Sequence, residues 1–370
     1  MDGATFSCRG RELHCKARDE AQKQPPSWRR APCACLPADL ASSFAVARSS
    51  GEAPNAALDT RLEETLAELL SAGAPGALAL AVGPWGRLCS AAGLDSSGRP
   101  LQATARFNVG SITKTFVAAL ALVLIEDGVL RLDDDVTAHL PGRFEPLGSV
   151  TVRSLLNHTS GLPDYFEDPA IAAAWLKDPS SEWKPEELID ISLALPRHEP
   201  GSFSYANCNF ILIGLMIESV TGSTLGETLR GRVLDSLGLA ATRLPGTASA
   251  AAGGLVSTAD DVARFLAALL GGEIVRKTSL REMLTTVPSD WAESQGYGLG
   301  IEQVESLMGF EVSPCGMAWG HTGLGQVTTV ALATPDAMRQ VVLMASAMLT
   351  SDAAWAALSG ATWAVLCSLS

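Results

Sequence analysis

With 370 residues, 47% of them apolar, the chain has enough material to bury a substantial core in one large domain or two interlocked ones. The formal net charge of -13 is concentrated in the body: residues 1–55 hold 8 Lys and Arg against 6 Asp and Glu, leaving 19 against 34, or -15. Phosphate is repelled by so acidic a surface over a Debye length of roughly 8 Å, which argues against nucleic-acid and anionic-membrane partners.

Residues 1–55 mix charge, Pro, Ser and Cys without a period and read as a disordered leader. Arg29-Arg30 ahead of a modest apolar stretch has the outline of a twin-arginine export signal, but Pro37 and Asp39 interrupt it. A cytoplasmic address is therefore expected, with export as the alternative. The longest apolar runs, Phe116–Ile125 and Ala353–Leu369, fall short of the ~20 residues that a spanning helix needs, so no membrane span is expected. Cys89, Cys208, Cys315 and Cys367 lie far apart, a pattern expected of free buried thiols rather than a disulfide frame.

Beyond the leader, helical spacing of Leu62, Leu66 and Leu69 after Asp59 predicts a first helix with Asp59 as its N-cap. Two runs, Ala77–Val82 and Arg87–Ala92, flank Gly83-Pro84-Trp85-Gly86, the punctuation of an antiparallel hairpin. A third strand over Ala105–Val109 leads through Gly110 into an apolar helix, Ser111–Ile125. The signals then turn helical: Val152–Leu156, Pro185–Leu195, Asn207–Val220, Leu225–Leu237 and Ala259–Leu270, the last capped by Ser257 or Thr258. Strand signals return at Tyr297–Gln303, Met317–Trp319, Val327–Thr334 and Gln340–Ala345, before a closing helix from Asp352. The order implies a mixed α/β (α+β) fold: an antiparallel sheet flanked by helices, built from 56–127 and 253–370, with an all-helical domain inserted at 128–252.

Ser111-Ile112-Thr113-Lys114 carries the chemistry. A serine hydroxyl needs a neighbouring base, and a helix puts residues i and i+3 on one face, roughly 5 to 6 Å apart. Ser111 also opens its helix, where the backbone N–H groups are unpaired and the dipole favours a developing oxyanion. Ser181-Glu182-Trp183-Lys184 repeats the spacing, but in a Pro-rich loop where nothing holds both residues on one face. Tyr205-Ala206-Asn207 offers a phenol to shuttle a proton and an amide to orient Lys114. His321-Thr322-Gly323 sits at a strand start between Gly320 and Gly325, where absent side chains allow another backbone to approach.

In this order and at these separations, the three segments resemble the family of class C β-lactamases, DD-carboxypeptidases and related serine esterases, from about Leu58 to the C-terminus. Leu155-Leu156-Asn157-His158-Thr159-Ser160-Gly161-Leu162, Gly254-Leu255-Val256-Ser257-Thr258 and Gly296-Tyr297-Gly298-Leu299-Gly300 extend the likeness. The resemblance implies a β-lactamase/transpeptidase-like fold without a cofactor or metal. It makes Ser111 the acylated nucleophile, with Lys114 and Tyr205 sharing general-base work and Asn207 positioning them. His321, Thr322 and Gly323 would bind the substrate backbone, and the N–H of Leu324 would join that of Ser111 in the oxyanion hole. His158 is expected to satisfy backbone groups rather than to catalyse.

Two departures bear on substrate. A carboxypeptidase must grip a terminal carboxylate, most naturally with Arg, yet the strand after Gly300 reads Ile301-Glu302-Gln303-Val304-Glu305. The stretch from Leu244 to Gly254 is also short, and Gly325-Gln326-Val327 follows the His321 motif. An ester or neutral amide, small or peptidic, is thus expected over a cell-wall peptide or β-lactam, with water, an amine or an alcohol as acyl acceptor. A Ser-His-Asp triad using His321, and a catalytically silent sensor on the same fold, are the rival readings.

Overall fold

The computed structural model describes residues 47–48, 56–140, 142, 147, 149–178, 183–289 and 296–367. Most of the leader, and Ser181 of the second Ser-x-x-Lys match, lie outside them. Ala47–Arg48, inside the segment read as leader, forms a short strand, β1.

The first hairpin forms as its turn chemistry dictates: β2 (Gly76–Gly83) and β3 (Gly86–Gly93) pair with Gly83 opposite Gly86. β1 adds to its outer edge, Ala47 opposite Ala91. From the C-terminal half come β6 (Val287–Pro288), β7 (Gly296–Tyr297), β8 (Glu302–Val304), β9 (Ala318–Leu324), β10 (Thr328–Ala333) and β11 (Gln340–Ala345). These strands make one antiparallel sheet of order β1-β3-β2-β11-β10-β9-β8-β7-β6. Strand periodicity sorts its two faces. Ala77, Ala79, Ala81, Val341 and Leu343 pack beneath α1 (Ala56–Ser71) and the closing helix, whereas Leu78, Leu80, Val342 and Met344 face the core of the central helices.

Two strand expectations need correction. Ala105–Val109 does not join the sheet: only Phe107–Asn108 (β4) is extended, and it pairs with Val256–Ser257 (β5). Tyr297–Gln303 is not one strand, because a turn through Gly298–Gly300, with Gly300 at φ +70°, separates β7 from β8. A side chain at Gly300 would also meet Ala118 Cβ at 2.5 Å.

The helix α2 (Ile112–Glu126), which follows directly on Ser111, crosses the inner face. Between it and β5 the described elements are helical: α3 (Val136–His139), α4 (Val152–Leu156), α5 (Pro169–Lys177), α6 (Pro185–Ala194), α7 (Asn207–Thr221), and α8 (Leu225–Leu229), which continues through a π-helical turn into α9 (Asp235–Leu237). α10 (Ala259–Leu270) starts at Thr258, whose side chain accepts from Asp261 N, and α11 (Lys277–Met283) and α12 (Asp352–Leu366) complete the set. Asp59 lies inside the first turn of α1 rather than at its cap. Among the described residues, no single helix is long and apolar enough to cross a membrane.

The cysteine expectation also changes. Cys89 and Cys208 are free and buried, but Cys315 and Cys367 form a disulfide, their Cα atoms 5.4 Å apart. The loop before β9 and the end of α12 meet only in the folded chain, so linear spacing gave no sign of the pairing.

Candidate active site

The strand-to-helix junction is built by close backbone contact. Gly110 adopts φ +56°, and a Cβ there would lie 3.0 Å from Gly323 Cα and from Leu324 N. A Cβ on Gly323 would in turn meet Val109 O at 2.2 Å. Thr329 Oγ1 donates to Val109 O at 2.8 Å and ties the same point to β10. The start of α2 therefore lies directly against the end of β9, which brings the backbone of Ser111 beside that of Leu324.

Lys114 is fully buried, and its amine has three oxygen neighbours: Ser111 Oγ at 3.1 Å, Asn207 Oδ1 at 2.7 Å and the Ala252 carbonyl at 2.5 Å. Two of the three are carbonyl oxygens, which only accept. A neutral amine gives its two N–H groups to them, and its lone pair is left for the one neighbour that has a proton to give, the Ser111 hydroxyl. Burial pushes the Lys114 pKa down to about 7, against the raising influence of the Asp164 and Glu302 carboxylates. The neutral form is thus populated near neutral pH.

The loop that carries Tyr205 and leads into Asn207 at the start of α7 is clamped by the Asn157–Leu162 segment. His158, at φ +59°, accepts from Ala206 N through Nδ1 at 3.2 Å, and its carbonyl accepts from Ser204 N at 2.8 Å. Burial drives the His158 pKa well down, so its ring is neutral, in keeping with a structural role. Lys114 Nζ meets Tyr205 through the ring, 4.8 Å from its centroid, while the His158 ring lies tilted against Tyr205 with centroids 4.2 Å apart. Ser111, Lys114, Tyr205 and Asn207 are thereby brought together.

His321 is where the structure departs most from expectation. It lies within β9 rather than at a strand start, and its ring is buried. Nδ1 donates to the Thr322 carbonyl at 2.5 Å and lies 3.2 Å from Glu302 Oε1; Nε2 accepts from the Tyr297 hydroxyl at 2.9 Å. Burial, with the charge of Lys114, holds its pKa down at about 3. The neutral ring, with both nitrogens engaged, does not present itself to a ligand or act as a base towards Ser111, which removes the geometric ground for a triad. Thr322 is buried too, its hydroxyl 3.3 Å from Glu302 Oε1. What β9 offers is backbone. Glu302 pairs with Gly320, so β8 ends there and gives residues 321–324 no backbone partner on that side. Thr322 N–H points to that edge and donates there to the Glu302 carboxylate at 3.3 Å, and Leu324 N–H, two residues on, points the same way.

Sequence reasoning missed Ala252, Tyr297, Glu302 and Asp164 as members of the site. Asp164 had a local signal, since it continues the Leu155–Leu162 motif by two residues. Asp133–Asp135 is an ordinary turn: Asp135 caps α3, Asp134 bonds His139 at 2.8 Å, and Asp133 pairs with Arg153 at 3.3 Å.

Residues 59–360 match the protein family described as Beta-lactamase. The chain belongs to the β-lactamase family of serine hydrolases. Within that family it is similar to a D-stereospecific amidohydrolase from Streptomyces sp., at 31% identity and a TM-score of 0.72, covering 84% of this chain and 99% of that one. The fold is also that of the D-amino acid amidase from Ochrobactrum anthropi SV3, at 22% identity and a TM-score of 0.73, covering 84% of this chain and 98% of that one. Penicillin-binding protein 4* of Bacillus subtilis (strain 168) is 32% identical over 150 residues, which is 40% of this chain and 32% of that protein. The match thus spans about a third of that curated relative's length.

Proposed function

We propose that the chain is a serine amidase or esterase working through an acyl-enzyme on Ser111, with a neutral or cationic amide as its preferred substrate. The single observation that carries this reading is Lys114 Nζ, 3.1 Å from Ser111 Oγ with its other two neighbours both carbonyl oxygens. As Ser111 Oγ attacks the carbonyl carbon, its proton passes to the Lys114 lone pair. The oxyanion is held by the N–H groups of Ser111 and Leu324. The C–N or C–O bond then breaks, and the departing nitrogen or oxygen takes that proton through Lys114 or the Tyr205 phenol. Water, or an amine or alcohol acceptor, attacks the acyl-enzyme in the reverse sense and frees Ser111.

Charge supports the substrate class. Asp164 and Glu302 are the carboxylates acting on Lys114, and His321 is neutral, so apart from Lys114, which must itself be neutral to act as the base, nothing in this cluster favours a terminal carboxylate. The similarity to an amidohydrolase points in the same direction. Intact-mass analysis after mixing with an activated ester is the test: one acyl group is expected on the wild type and none on Ser111→Ala. Uptake by the variant at the wild-type rate would end the proposal; silence of the wild type towards ester, amide and β-lactam probes would favour the sensor reading. A p-nitrophenyl ester series set against a cephalosporin and a D-Ala-D-Ala peptide, with and without added amines, separates amidase, β-lactamase, carboxypeptidase and transacylase.

A further inference from the structure

Resting on that reading, we propose that Asp164 is a positioning residue: its carboxylate fixes which way the Asn207 amide faces and so turns the amide oxygen onto Lys114. An asparagine side chain has an accepting and a donating end of nearly equal size, and either could face the lysine. If the donating end did, it would compete for the lone pair that Ser111 needs. Asp164 removes the choice. Its Oδ2 accepts from Asn207 Nδ2 at 2.7 Å and from the Asn207 backbone N–H at 3.2 Å; burial raises the Asp164 pKa, while the N–H groups of Phe166 and Asn207 and the nearby Lys114 favour the ionised form, in which the carboxylate only accepts. A flipped amide would set its oxygen against that carboxylate.

Asp164 is itself held firmly. Its Oδ1 caps the short turn Tyr165–Glu167 by accepting from Phe166 N at 3.1 Å, and its backbone N–H donates to Glu167 Oε1 at 3.0 Å. The two oxygens have separate tasks: Oδ1 serves the turn, and Oδ2 serves Asn207. Lys114 is faced by Asp164 from this loop, Glu302 from β8, His321 from β9, His158 after α4, and Tyr205 and Phe210 around α7. Both histidines are neutral, which leaves two carboxylates to act on the amine.

Two variants separate the tasks. Asp164→Asn keeps the shape but loses the charge and the obligatory acceptor. Asp164→Ser keeps a hydroxyl that caps Phe166 N, since Ser is a good N-cap, and leaves Asn207 Nδ2 without its partner. Both should acylate Ser111 about 100-fold more slowly than wild type with little change in KM, the loss that roughly 1 Å of misplacement brings. The Lys114 titration, followed by NMR on lysine labelled at Cε, should have its midpoint about one pH unit lower or more, because a nearby carboxylate no longer favours the ammonium. Wild-type acylation by Asp164→Ser would overturn the inference, and so would slow acylation with an unmoved Lys114 midpoint and a lowered melting temperature, the mark of a purely structural residue. If the wild type takes up no acyl group, the functional reading fails, and the Lys114 midpoint alone then decides whether Asp164 governs the amine.

Discussion

The Glu302 carboxylate takes the backbone N–H of Thr322 at 3.3 Å, at the point on β9 where β8 offers no further residue. A side chain stands in for a strand partner, and it brings a negative charge to the edge that would receive a substrate. Glu302→Gln keeps an accepting oxygen for Thr322 but removes the charge. The ratio of kcat/KM for a peptide ending in a free carboxylate to that for its C-terminal amide should rise, by an amount on the order of tenfold or 1.4 kcal/mol. An unchanged ratio would show that Glu302 supports the strand without selecting substrates.

The pH profile should report Lys114. The amine must be neutral to take the Ser111 proton, and its pKa is lowered to about 7, so kcat/KM should fall about tenfold per pH unit below that value and level off above it. His321, held at about 3, and His158, pushed well down, do not titrate there. His321→Asn should therefore retain the inflection near 7, whereas Lys114→Ala should lose several orders of magnitude at every pH. An inflection that disappears with His321 would reinstate the triad.

Gly110 is a position where a single methyl group should disturb the oxyanion site. At φ +56° an L side chain is strained, and its Cβ would press on Gly323 and Leu324 at 3.0 Å. Gly110→Ala should push the start of α2 away from the end of β9 and separate the N–H groups of Ser111 and Leu324. Loss of one oxyanion donor costs about 100- to 1000-fold in kcat, and a fall in that range with near-normal binding of a non-hydrolysable substrate analogue is expected.

What was legible in the sequence was local. Ser111 and Lys114 are one helical turn apart, the Gly83–Gly86 turn writes its own hairpin, and the bounds of α4 and α10 follow from spacing and caps. What escaped depends on distant partners. Lys114 and Ala252 are separated by 138 positions, Asn207 and Asp164 by 43, and Thr322 and Glu302 by 20. Ala252 contributes only a carbonyl, which every residue has, so no residue type could announce it. Glu302 was readable as the absence of a cation, but not as a buried partner of β9, because strand pairing decides where a side chain turns. The ring of His321 followed the same rule: its motif located the strand, and the pleat sent the side chain inward.

The Cys315–Cys367 link closes a loop of 52 residues that contains β9, β10, β11 and α12. By loop-closure entropy such a link stabilises the folded chain by about 4 kcal/mol, chiefly by restricting the unfolded chain. α12 also packs through Ala354, Trp355, Leu358 and Trp363 against the sheet face opposite the site, so the helix has apolar contacts of its own. Reduction should therefore lower the melting temperature by several degrees while the acylation rate of Ser111, measured well below the new transition, stays the same. Cys315→Ser with Cys367→Ser should reproduce both results. If reduction slowed acylation without moving the unfolding transition, the disulfide would be coupled to the site through β9, and its part would be catalytic control rather than stability.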